Sequence, residues 1–119
     1  MSYDINFMVK VDGVENKYID TRYCCANITW NLHEMIVKST GLDWKNEENN
    51  GLCKDIIPKI KAGLNELTFN EEKYKEYESP NGWGTIRGCK NFFNKIIKDW
   101  ELFLFDHEDL EDAVYFWIV

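Results

Sequence analysis

The sequence predicts an α+β fold: a small antiparallel sheet of two to three strands, built from an N-terminal hairpin and a C-terminal strand, packed against about three helices. Three observations predict it. Residues 3 to 11 alternate apolar with polar, residues 85 to 105 carry an apolar stripe at helical spacing, and residues 113 to 119 form a short run that is apolar on both faces. With 119 residues, 45% of them hydrophobic and 15% aromatic, the chain is long enough and apolar enough to build one core, so residues 1–119 are read as a single domain. A mainly helical bundle carrying a β-hairpin is the alternative architecture.

The first strand places Tyr3, Ile5, Phe7, Val9 and Val11 on one face, with Asp4, Asn6, Lys10 and Asp12 mostly on the other. Asp12-Gly13 then offers the residue pair of a tight hairpin turn, and a second strand follows through about Lys17 to Arg22. Between residues 27 and 40, Ile28, Leu32, Met35 and Ile36 recur at helical spacing. Asn31 and Glu34 have the capping-box spacing, and Gly41 suits a left-handed C-cap. The polar stretch DWKNEENNG (43 to 51) reads as a loop.

A second helix is expected over Ile56, Ile57, Ile60, Leu64 and Leu67. Because a proline is costly in a helix interior and harmless in its first turn, Pro58 places the start near Asp55, with Asp55 as N-cap. EEKYKEY (71 to 77) reads as a short helical turn. The third helix is the best defined, with Ile86, Cys89, Phe93, Ile96, Ile97, Trp100 and Leu104 on one face after the turn SPNGWGT (79 to 85). The acidic run DHEDLED (106 to 112) reads as a solvated connector. The final strand AVYFWIV is so apolar that it must be covered on both sides, by the first strand and the helices or by a second subunit; the latter implies a homo-oligomer through Ala113 to Val119.

Charge and cysteine usage narrow the functional classes. The net charge of −7 argues against direct binding to nucleic acid, which needs Lys and Arg to neutralise phosphates. It suits solubility, or mimicry of nucleic acid toward a basic partner. Cys24, Cys25, Cys53 and Cys89 have neither zinc-ligand spacing nor a disulfide framework, and the N-terminus lacks the pattern of a signal peptide. With no run of about 20 apolar residues, the expectation is a cytoplasmic protein, with no membrane association and no cofactor or metal.

An enzyme is not expected. His33 and His107 lack a spaced nucleophile or metal-ligand partner and read as surface histidines, and the many carboxylates reflect an acidic composition. Cys24 and Cys25 would become reactive if Arg22 lowered a thiolate pKa; more often such residues are small buried hydrophobes.

Several stretches taken together resemble a family of small bacteriophage and prophage proteins of unknown function. They are YDINFMVKVDG (3 to 13), TWNLHEM (29 to 35), STGLDW (39 to 44), IPKIKAGLNEL (57 to 67) and NGWGT (81 to 85), in the family's order over roughly residues 3 to 97. The resemblance implies action in the cytoplasm of a bacterial host and no established activity. The aromatic C-terminal strand departs from many members.

The candidate ligand-binding residues are those two polar blocks: Thr29, Trp30 and Asn31, and Asn81, Gly82, Trp83, Gly84 and Thr85, with Arg87 adding charge one turn into the third helix. Each block stands at a helix mouth, where unpaired N–H groups and a partial positive charge attract phosphate or carboxylate. The two glycines would admit a ligand to the backbone, and the indoles could stack on a base. The leading expectation is a non-enzymatic counter-defence protein that sequesters a small anionic, nucleotide-like ligand. The alternative is an acidic inhibitor that binds a host defence protein, such as a CRISPR-type nuclease, and takes no small-molecule ligand. A third reading is architectural: the asparagines and threonines cap, the glycines turn, and Trp83 packs over the helix end.

Overall fold

The computed structural model describes residues 2–15 and 17–119 and confirms the α+β class, with more strands than the sequence predicts. Five strands form one antiparallel sheet: β1 (Ser2–Lys10), β2 (Tyr18–Asp20), β3 (Asn27–Thr29), β4 (Glu48–Leu52) and β5 (Val114–Ile118). The order is β2-β1-β5-β4, and β3 also pairs with β1. Three α-helices, α1 (His33–Thr40), α2 (Cys53–Phe69) and α3 (Ile86–Asp106), are joined by 3-10 helices at Trp30–Leu32, Glu71–Tyr77 and Glu108–Ala113. Among the described residues, no helix is long and apolar enough to cross a membrane.

The alternation read in β1 is realised: Tyr3, Ile5 and Phe7 are buried and meet Val114, Phe116 and Ile118 of β5 in the core. One edge of β1 takes β5, with Ile5 opposite Ile118 and Val9 opposite Val114. The other edge takes β3 against Ser2 to Asp4 and β2 against Met8 to Lys10. Between them, the chain stays tied to β1 by Thr21 N–H to Phe7 O and Ile5 N–H to Ala26 O, both 2.9 Å. The hairpin turn is wider than the Asp12-Gly13 pair suggested. Val14 N–H reaches Val11 O at 3.4 Å and only Gly13, not Asp12, has positive φ (76°), the pattern of a type II turn.

β5 is therefore a central strand. It lies between β1 and β4, its inner residues face the helices, and on its outer face Tyr115 and Trp117 are half-buried beside Tyr18, whose ring lies 5.5 and 4.8 Å from theirs. The demand for cover that suggested a second subunit at Ala113 to Val119 is met within one chain.

Three expected boundaries are corrected. Residues 27 to 29 join the sheet as β3 instead of opening a helix; Ile28 is buried from a strand, and helical geometry begins only at Trp30. The Asn31/Glu34 capping box does not form, because Thr29 caps the 3-10 turn and α1 starts at His33 behind Leu32, with no side-chain cap. Gly41 does end α1 in the left-handed conformation (φ 72°). The helix α2 begins at Cys53, two residues before Asp55, which puts Pro58 inside it. Pro58 sits on the exposed flank, where water can replace the N–H that the Lys54 carbonyl loses.

α3 matches expectation most closely. Thr85 is its N-cap, accepting from Gly88 N–H at 3.0 Å, and its buried face presents Cys89, Phe93, Ile96, Ile97, Trp100 and Phe103. Trp100 meets Phe7 edge to face, 5.6 Å between centroids, so this helix lies directly on the sheet.

Candidate functional site

The two polar blocks meet, and what joins them is a close backbone approach. A Cβ added to Gly84 would lie 3.1 Å from Leu32 Cδ2 and 3.3 Å from Asn31 Cβ. Real Cβ atoms rarely come so near, so glycine is what lets the two blocks touch. Gly84 is buried in this contact, and the group that approaches its backbone is the chain's own Leu32, not a ligand.

The loop Ser79 to Thr85 closes on itself through four hydrogen bonds. Ser79 N–H reaches Gly84 O at 2.9 Å, and Gly82 N–H reaches Ser79 O at 3.1 Å. Asn81 Oδ1 accepts from Trp83 N–H at 3.0 Å and from the Ser79 hydroxyl, the local turn that asparagine favours. Gly82 takes φ 77° in open space, a conformation that costs a residue with a Cβ.

The mouth of α3 already holds an anion. Glu78 Oε2 accepts from Ile86 N–H at 2.9 Å, while the Thr85 hydroxyl takes Gly88 N–H. These are two of the four N–H groups that a helix start leaves unpaired. At the other mouth, Thr29 Oγ1 accepts from Asn31 N–H at 3.4 Å and His33 N–H reaches Trp30 O. Arg87 is exposed on the first turn of α3.

The indoles are different. Trp83 is 71% exposed, so it does not pack over the helix end as the architectural reading required. Trp30 is 38% exposed and stacks on Tyr3, 5.4 Å between centroids and 17° from parallel. Each indole is next in sequence to a residue of the Asn31–Gly84 contact, and each stands beside a helix mouth that the chain's own groups partly fill.

Tyr3 continues the aromatic series inward. It meets Trp44 edge to face at 5.5 Å, and Trp44 in turn meets Phe92 at 5.9 Å and Phe116 at 5.7 Å. The Tyr3 hydroxyl is hydrogen-bonded to His33 Nδ1, and burial holds its pKa above the usual tyrosine value. Thus His33 is exposed as expected but ties α1 to the first strand.

Trp44 opens onto a cavity of about 280 Å³ that sequence reasoning did not find. Its lining combines Leu42, Trp44, Ile56 and Phe116 with Asp43, Lys45, Asn49 and Asn50. The stretch read as a plain loop supplies five of these residues, and its last part is β4, paired with β5 across an irregularity between Asn49 and Leu52. The Asn50 amide clasps it, accepting from Lys45 N–H at 3.0 Å and donating to the carbonyls of Lys45 (3.0 Å) and Glu48 (2.9 Å). The paired asparagines were the available signal, since asparagine side chains recurrently close loops on the backbone.

Three of the four cysteines are inert by burial. Cys24 and Cys89 are buried, and desolvation pushes each thiol pKa up to about 12; Cys53 is raised further for the same reason. Cys25 is exposed, and all four are free thiols. His107 is half-buried, edge-on to Tyr23 and tilted against Phe103, more enclosed than a surface histidine.

Compared with protein-family models, with curated proteins and with solved structures, the chain finds no match.

Proposed function

We propose that this chain acts by binding another protein, through a surface centred on Trp83 with Trp30 beside it. The observation that carries this is the exposure of Trp83 on a loop whose own hydrogen bonds fix its shape. A large apolar side chain held out in water on a preorganised loop has the make-up of an interface anchor, and tryptophan is enriched among the residues that dominate binding energy. The net charge of −7 favours a basic partner and would speed encounter with it.

The resemblance to bacteriophage proteins supplies the setting: a non-enzymatic counter-defence protein in the host bacterial cytoplasm, inhibiting a defence factor such as a CRISPR-type nuclease. The other reading, a nucleotide-like anion on the same helix mouths, sets a ligand in competition with Glu78, which already accepts from Ile86 N–H. The carboxylate already at the α3 mouth makes it the weaker of the two.

Pull-downs from a bacterial lysate with the wild-type chain and with Trp83→Ser, run beside a thermal-shift screen of cyclic and linear nucleotides, test the choice. A stoichiometric, salt-sensitive partner that Trp83→Ser fails to capture supports the protein-binding reading. Capture of the same proteins by both chains, or a nucleotide shift abolished by Trp83→Ser with no captured partner, rejects it.

A further inference from the structure

We propose that the cavity at Trp44 is a second, separate site, and that it takes a neutral flat heterocycle of purine size, held against the accessible edge of Trp44 and read at its own edge by the Asn49 amide. Volume sets the scale. About 280 Å³ is nearly twice the roughly 150 Å³ of an apolar cavity that accepts benzene, so one or two fused rings fit within it. The lining sets the polarity. Leu42 and the accessible edges of Trp44 and Ile56 give an apolar floor, with Phe116 fully buried behind it, while the polar residues are two asparagines and one charge of each sign, Asp43 and Lys45. An apolar pocket with a few convergent polar groups is the usual form of a small-molecule site. Balanced charge selects against a polyanion.

The two asparagines have divided roles. The Asn50 amide is spent on the loop, since its oxygen and its nitrogen together make the three bonds to Lys45 and Glu48. Asn49 Oδ1 accepts once, from Gly51 N–H at 2.9 Å, which leaves that oxygen a second lone pair. Among the described residues its Nδ2 has no hydrogen-bond acceptor. A side-chain amide that offers one donor and one acceptor matches the edge that adenine presents to asparagine.

The backbone around Asn49 is specialised as well. Glu47 has φ 56° and Gly51 has φ 117°, and the β4–β5 register shifts between Asn49 and Leu52. Irregularities of this kind re-aim side chains and concentrate at binding sites. Here the Asn50 clasp holds them, so the pocket is formed in advance.

The test is a titration of ¹⁵N-labelled protein with adenine and, separately, with indole, which has similar bulk but lacks the complementary edge. Adenine should move the Trp44 indole and Asn49 side-chain resonances saturably, and indole should bind about tenfold more weakly or less, the difference expected from one or two buried hydrogen bonds. Asn49→Asp keeps an oxygen for Gly51 N–H and removes the amide donor; it should weaken adenine by a similar factor with no change in unfolding midpoint. Trp83→Ser should leave the titration unchanged, which separates this site from the protein-binding surface. No movement of Trp44 with adenine up to its solubility limit, equal affinity for adenine and indole, or movement confined to Trp30 and Trp83 would overturn the proposal.

Discussion

The seam between Thr29–Leu32 and Asn81–Thr85 and the loop Asp43–Gly51 are both rich in asparagine, glycine and tryptophan, yet they place their tryptophans oppositely. At the seam, Trp83 is 71% exposed; in the loop, Trp44 is 6% exposed and touches three aromatic rings. The polar residues behave alike in both, closing the local backbone through Asn81, Thr85, Asn49 and Asn50. Asparagine and glycine therefore report on local geometry in either place, whereas the tryptophan reports on what that geometry is for: core and cavity in the loop, an outward anchor at the seam.

The largest effect expected from breaking this contrast is at Trp44. Trp44→Ala removes a nearly buried indole from the aromatic cluster and should cost about 3–5 kcal/mol of unfolding free energy, measurable by urea denaturation. A cost below about 1 kcal/mol, the range of a mild surface change, would mean that the loop lies outside the cooperative core.

Next is Gly84→Ala. The added methyl would press on Leu32, which is itself buried, and on Asn31. Overpacking of this kind should destabilise by about 1–3 kcal/mol. Gly88→Ala is the control in the same segment, since its added methyl would meet only the Thr85 hydroxyl, at 3.2 Å. Equal costs at the two positions would show that the contact between the blocks is not what Gly84 provides.

How much of this was legible in the sequence follows from the range of each signal. The face of β1, the left-handed cap at Gly41, the Thr85 cap and the stripe of α3 depend on residues close in sequence, and all were readable. β3 and β4 were not, because each is held by a distant strand: Ile28 opposite Tyr3, Asn49 opposite Trp117. Three- and five-residue polar strands carry too little alternation to announce themselves. The cavity escaped for the same reason, since Ile56 and Phe116 reach it from α2 and β5. At the seam, both blocks were readable as loop and cap residues, but the carboxylate in the α3 mouth was missed. Glu78 lies eight residues before Ile86, beyond the usual capping offsets.

A smaller effect is expected at Thr85. Replacing it by Ala removes the acceptor of Gly88 N–H, a loss of about 1 kcal/mol for an N-cap. Glu78→Gln sharpens the result, because it keeps an oxygen for Ile86 N–H while removing the charge that complements the helix dipole; its cost should be a fraction of about 1 kcal/mol and should shrink as salt is added. If Glu78→Gln instead let phosphate raise the melting temperature, the mouth of α3 would be an anion site held shut by its own carboxylate, and the nucleotide reading would regain its basis.

The smallest stability effect should be at Trp83, where the functional effect should be greatest. Its exposed indole leaves little packing to lose, and the backbone N–H that Asn81 accepts does not depend on the side chain, so Trp83→Ser should shift unfolding by no more than about 0.5 kcal/mol. The same change should weaken a captured partner by at least about 2 kcal/mol, the scale of an interface anchor. Trp30→Ser should fall between these limits: it gives up the stack on Tyr3, worth about 0.5–1.5 kcal/mol beyond its buried area, and part of the contact surface as well. If Trp83→Ser cost as much stability as Trp30→Ser and left partner affinity intact, the contrast with Trp44 would collapse. Both tryptophans would then be structural, and the protein-binding reading would lose the residue on which it rests.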